Sequence, residues 1–158
     1  MKINIRNAVV DDISKIRDLI KLYAQEELLL PKSRAELAVM LPNFLAADYD
    51  GQFSGSVAFK VGEDEKAEIV FWVVDRKYFN HSIGSMLISA VMERVEDLGI
   101  KTVYTLTLRP NTFEKPGFKV VSMEMLSKKV WTDCIRCPRN IAVPGSVDCK
   151  EIALIKNL

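Results

Sequence analysis

Ten residues between an apolar run and an amphipathic helix offer the chain's clearest chemistry: Asp75-Arg76-Lys77-Tyr78-Phe79-Asn80-His81-Ser82-Ile83-Gly84. Amides in the first turn of a helix lack intrahelical partners, and the helix dipole adds partial positive charge. An anion such as a pyrophosphate is stabilised at such a place. Arg76, Lys77 and the single histidine, His81, are near in sequence. On residues alone the stretch also reads as an ordinary strand-to-helix connection. A second cluster is Cys134-x-x-Cys137 with Cys149. Thiolates at this spacing suit zinc, but three fall one short of a closed structural site. Reduced structural thiols are the favoured reading.

Positioning these residues falls to elements marked out by the apolar pattern. Ile3 and Ile5 alternate with polar neighbours, as a short strand does. Asp11 and Asp12 can cap a helix whose apolar positions Ile13, Ile16, Leu19, Ile20 and Tyr23 recur at helical spacing. Ser33-Arg34-Ala35-Glu36 is a capping box opening a second helix that runs to Leu41, before Pro42. Asp50-Gly51 supplies the positive-φ pair of a hairpin between strands 44–49 and 53–61. Ala67 to Val74 is almost continuously apolar, which predicts a central strand covered on both faces. The next helix presents Ile83, Leu87, Ala90, Val91, Val95 and Leu98 on one face and stops at Gly99. Strands follow at 101–108, 118–123 and 151–155, with a helical turn opened by Pro110. The order β-α-α-β-β-β-α-β-α-β, with a late strand, indicates an α+β fold with a mixed sheet flanked by helices on both faces.

Composition narrows the function classes. The chain has 158 residues with 22 Lys and Arg against 21 Asp and Glu, a net charge of +1. One domain over 1–158 is expected at this length. The near-balance argues against nucleic acid, whose phosphates call for a basic excess or face. Hydrophobic residues make up 49%, enough to build a core and exclude disorder. No apolar run approaches the roughly 20 residues of a membrane span. Met-Lys-Ile-Asn-Ile-Arg lacks a signal core, and three cysteines are no disulfide framework. A cytoplasmic protein with reduced thiols is expected.

Strand, loop, Ile83-Gly84-Ser85-Met86-Leu87 and long helix together resemble the acyl-CoA-binding motif of the GNAT superfamily of N-acetyltransferases. Asn111-Thr112-Phe113-Glu114-Lys115-Pro116-Gly117-Phe118 is similar to a second superfamily segment ending in Gly-Phe. Leu29-Leu30-Pro31-Lys32-Ser33 and the stretch from Lys129 through Arg136 to Pro138 resemble the short amino-acid N-acetyltransferases of the N-acetylglutamate synthase type. The resemblance covers essentially the whole length. It implies the GNAT fold and acetyl transfer from acetyl-CoA to the α-amino group of an amino acid, L-glutamate first, as in arginine biosynthesis. Acetyl-CoA contacts are implied at Val73, Val74, Phe79, Asn80, His81, Ser82, Ile83, Gly84, Ser85, Asn111 and Phe113. The amide near Val74 is expected to face the acetyl carbonyl. Glu68 stands where the family has a glutamate and is the candidate base, acting through water; its plain alternative is a solvated strand-end carboxylate. Leu30, Lys32, Ser33, Lys129 and Arg136 are the implied substrate side, the cations pairing with the two carboxylates of glutamate.

Several positions depart from the family pattern. The family loop has a basic or amide residue where Phe79 stands, and glycines where Asn80 and Ser82 stand. Glycine admits a phosphate without a Cβ in the way, though Asn best tolerates positive φ. Phe113 sits where many superfamily members have a tyrosine that protonates the leaving thiolate, and phenylalanine cannot donate. Asn140 to Val147 resembles an insertion separating Cys149 from the other cysteines. These departures keep two other readings open: acetylation of another small amine, or a non-catalytic acyl-CoA sensor or regulatory subunit. A homodimer stays open, and the sequence does not reveal whether the apolar stretch around Phe71 and Trp72 is its contact.

Overall fold

A computed structural model describes residues 2–26, 28–107, 113, 116–121 and 152–158. The elements in chain order are β1 (Ile3–Asn7), α1 (Asp12–Gln25), α2 (Arg34–Met40), β2 (Phe44–Tyr49), β3 (Gln52–Val61), β4 (Ala67–Val74), α3 (Ile83–Asp97), β5 (Thr102–Thr107), β6 (Lys119–Val121) and β7 (Ile152–Asn157). Short 3-10 turns at Leu41–Asn43 and Arg76–Tyr78 follow α2 and β4. Among the described residues, no helix is long and apolar enough to cross a membrane.

Among the described residues, seven strands form one sheet in the order β1-β2-β3-β4-β5-β7-β6. Every neighbouring pair is antiparallel except β4 and β5. The expected α+β class and mixed sheet are thus observed. The Asp50-Gly51 hairpin forms with φ of 48° and 83°. The last strand lies between β5 and β6, a placement with no local signature in the sequence.

The sheet is covered on both faces. On one side, α3 packs Ile83, Leu87, Ile88, Val91, Met92 and Val95 against Val57, Phe59, Ala67, Ile69 and Val103. On the other, Ile13, Ile16 and Ile20 of α1 and Leu37 of α2 meet Phe44, Ala58 and Phe71. Two details differ from the sequence reading. Leu98 is 57% exposed, because it caps α3 beyond the packed stripe. The Asp11 side chain makes no capping bond; Asp12 instead accepts the Val9 amide at 2.7 Å. The capping box at α2 forms as expected, with both reciprocal bonds present.

Strand β4 bends midway. Its ladder with β3 shifts between Ser56 and Ala58, and Phe71 takes φ of 52°, a bulge that turns Val70 and Phe71 to the same face. Gly55 makes the close approach of β3 to β4 possible. A Cβ there would lie 2.7 Å from the Val73 carbonyl oxygen, with no flexible atom to yield.

Candidate functional site

Pairing of β4 with β5 is confined to Ala67↔Val103 and Glu68↔Tyr104. Just above, the Thr105 hydroxyl donates to the Ile69 carbonyl at 3.0 Å, so a side chain replaces the next ladder bond. Beyond this point the two strands fork. The pairing phase shows what faces the fork. Gly55 and Val74 are opposed while the Asp75 amide bonds the Ser54 carbonyl at 2.8 Å, so Gly55 and Val74 form a non-hydrogen-bonded pair. The Val74 N–H and C=O therefore point away from β3, into the fork.

At the top of the fork stands the loop into α3. Asn80 has φ of 71° and Ser82 φ of 64°, both left-handed. Positions where the family has glycine thus keep a glycine-like backbone although each carries a Cβ. The Met86 amide is bonded to the Ser82 carbonyl, so the amides of Ile83, Gly84 and Ser85 precede it and stand free of intrahelical bonds. The Trp72 indole N–H donates to the Gly84 carbonyl at 2.9 Å and pins this first turn onto β4. Ser82 makes no side-chain cap, which leaves the amides to a ligand.

Other expected residues take less direct places. Val73 is fully buried and opposite Ser56, in the phase that turns its backbone to β3 and not to the fork. Ile83 is a core side chain whose amide alone reaches the site. Phe113 packs edge-on against Trp72 at 5.0 Å and Phe118 at 5.2 Å. Trp72 packs with the α3-face core, and Phe71, 7% exposed, stacks near Phe44. Phe79 is 47% exposed at the loop rim. Arg76 is ion-paired to Glu26, and the His81 ring lies 4.8 Å from Tyr49, so each has a protein partner.

The residues expected on the substrate side that the structure describes lie on the α1–α2 face. The Lys32 ammonium lies 5.9 Å from the centre of the Phe71 ring and 3.4 Å from the Glu36 carboxylate. Ser33 accepts the Glu36 amide at 3.1 Å, so its hydroxyl oxygen holds the start of α2. Leu30 is half-buried beside them in sequence. Glu68, 6% exposed, is not the solvated strand-end carboxylate weighed from the sequence. It alternates with Ile69 and shares the face of Val70, toward α1 and α2, one residue below the fork. Asn111, Lys129, Arg136 and the three cysteines lie outside the described residues.

Tyr23 is a site neighbour that its spacing, one position of the α1 apolar stripe, does not mark out. Its hydroxyl accepts the Val74 amide at 3.1 Å and donates to the Val74 carbonyl at 3.0 Å. The expected free amide at Val74 is therefore occupied. The available signal was chemical: a tyrosine closing a buried aliphatic stripe needs a partner for its O–H.

A forked sheet with strand amides on its open edge and a helix start above it defines an N-acetyltransferase that takes an acyl-CoA donor. Residues 12–115 match the Acetyltransferase (GNAT) family, and the chain belongs to that family as an acetyl-CoA-dependent N-acetyltransferase. It is 32% identical over 154 residues to an uncharacterized N-acetyltransferase of Chlorobaculum tepidum, covering 98% of this chain and 96% of that one. It is 32% identical to an amino-acid acetyltransferase of Pasteurella multocida over 79% of this chain, which is 29% of that longer protein. In structure it is similar to N-acetylglutamate synthase from Neisseria gonorrhoeae complexed with coenzyme A and N-acetyl-glutamate. The TM-score is 0.81 at 22% identity, over all of this chain and 35% of that one. A Mycobacterium tuberculosis protein in complex with CoA has a TM-score of 0.80 at 21% identity, with 98% and 99% covered.

The residues present fit acetyl-CoA: a strand amide and carbonyl on the fork edge, and a left-handed loop before free helix-start amides. Ser82→Gly is expected to stabilise the fold by about 1 kcal/mol, since glycine removes the left-handed penalty of a non-glycine residue and returns part of that gain as unfolded-state entropy. Combined with Phe79→Arg it is expected to tighten CoA several-fold by calorimetry. An unchanged dissociation constant would show that this loop does not hold the pyrophosphate.

Proposed function

We propose that residues 1–158 act as one N-acetyltransferase domain that acetylates the α-amino group of an amino acid, L-glutamate first among the substrates. The observation that carries the reading is Lys32 held over the bulge residue Phe71 on the acceptor face of the forked strand. A cation there is placed to meet a carboxylate of an amino acid whose amine points at the fork, by exchange with the exposed Glu36. Supporting it are the relatives named amino-acid acetyltransferase and the similar structure that holds N-acetyl-glutamate.

The chemistry asked of the chain is modest. Bound acetyl-CoA supplies the activated acetyl group. The chain aligns the amine, accepts its proton through Glu68 and water, and presents backbone donors along β4. With Phe113 lacking a hydroxyl, the thiolate takes its proton from solvent, which suits a good leaving group.

Calorimetric titration with acetyl-CoA, followed by glutamate with free thiol measured, tests the reading. Heat on the first addition and stoichiometric thiol release on the second are expected. Binding without release for any amino acid supports the sensor reading, which the substitutions at Phe79, Asn80 and Ser82 favour. Release with a different amine would replace glutamate alone.

A further inference from the structure

We propose that the Tyr23 hydroxyl is an internal occupant of the cofactor arm's place on β4, and that acyl-CoA binds by displacing it. The inference rests on acetyl-CoA being the donor. It assigns a role to a residue of α1 that has no direct part in the chemistry.

Three observations combine. The Val74 N–H and C=O face the fork, where β5 has departed. One hydroxyl serves both groups, donating to the carbonyl at 3.0 Å and accepting from the amide at 3.1 Å. An open strand edge presents this donor and acceptor to a ligand that brings a carbonyl and an N–H from two successive amides, and the pantetheine arm of CoA carries two secondary amides. Ile13, Ile16 and Ile20 of the same stripe are buried in an apolar cluster with Leu37, Phe44, Ala58 and Phe71, so packing of this helix does not call for a hydroxyl. The Tyr23 carbonyl meanwhile accepts the Glu26 and Leu28 amides, which anchors the residue at the end of α1.

The arrangement satisfies two part-buried backbone groups in the free chain, where leaving them unpaired would be costly. It also makes the protein its own competitor. When the binding-competent form is only a fraction of the population, the apparent dissociation constant rises by the reciprocal of that fraction. Phenylalanine at position 23 keeps the ring and removes the competitor.

The test is calorimetry of wild type and Tyr23→Phe with two probes, CoA and adenosine 3′,5′-bisphosphate. The second carries phosphates of the cofactor but no pantetheine amide. Tyr23→Phe is expected to bind CoA about fivefold more tightly, with the bisphosphate unchanged within about twofold. Equal or weaker CoA binding in the variant overturns the proposal, as does the same gain for both probes. Absence of CoA binding in the wild type overturns the donor reading itself, a distinguishable failure. Should the variant not fold, nitrogen-15 spectra of the wild type decide: CoA must shift the Val74 amide, and the bisphosphate must not. A Val74 resonance indifferent to CoA overturns displacement.

Discussion

Glu68→Gln is expected to lower kcat by about 10²- to 10³-fold, the range lost when a positioned general base is removed. Glu68 belongs to the last residue pair joining β4 and β5, and its side chain shares the face of Val70, toward α1 and α2. That is the face on which Lys32 stands over Phe71. In the proposed reading a base there serves the acceptor amine, with the donor along the fork above it. Glutamine keeps the shape and an acceptor oxygen but cannot hold the amine's proton. The CoA dissociation constant should therefore stay within about twofold, and the loss should appear in kcat more than in KM. Thiol release under saturating substrates, read beside a thermal melt, separates chemistry from folding. A variant with unchanged kcat removes Glu68 from the proton path. A variant with lowered melting temperature and proportionately lowered CoA binding makes it a structural carboxylate.

Asp12→Asn is expected to cost about 2 kcal/mol of folding stability, the size of a charge-assisted hydrogen bond lost, since Arg6 is part-exposed and keeps Asp48. The Arg6 guanidinium grips Asp12 with two bonds of 2.7 and 2.9 Å and Asp48 with two of 2.7 and 3.1 Å. The Asp12 side chain is 2% exposed and accepts the Val9 amide as well. The three side chains join β1, β2 and the start of α1, the helix that carries Tyr23 to the fork. Burial pushes the Asp12 carboxyl up, but the Arg6 guanidinium and the Val9 amide outweigh it and hold it below the usual carboxylate range. A carboxyl held lower in the folded state stabilises fully above its unfolded value, near pH 4. That contribution is lost as the pH falls through the folded value. Urea midpoints between pH 7 and pH 3 should thus fall for the wild type and fall less for Asp12→Asn. Parallel curves for the two proteins would mean that the pair contributes nothing to acid sensitivity.

Most of the elements were legible because their signals are local. The Ser33–Glu36 capping box, the Asp50-Gly51 turn and the α3 stripe each depend on residues within a few positions. The loop's departures from its family were visible as well, and their physical meaning turned on one torsion each. Asn80 and Ser82 keep left-handed φ, so the backbone of the cradle survives the loss of glycine. Leu98 was misjudged because periodicity continues past the last residue that packing covers. The apolar run at Phe71 and Trp72 carries no local sign of which face each ring takes. The bulge at Phe71 delivers the two rings to opposite faces of the sheet, where separate cores take them.

By itself the amino-acid order determined the class of fold, the strand–loop–helix at β4 and α3, and the acidic and basic residues near it. Those properties follow from periodicity, turn chemistry and side-chain type, which neighbours in the chain settle between themselves. Only the tertiary structure decided where β4 and β5 part, that Lys32 stands over Phe71, and that Tyr23 closes on Val74, 51 residues away. Each of these depends on the register of distant strands and on a single bulge. A shift of one residue in that register would exchange the two faces of β4, and with them every group that meets the fork.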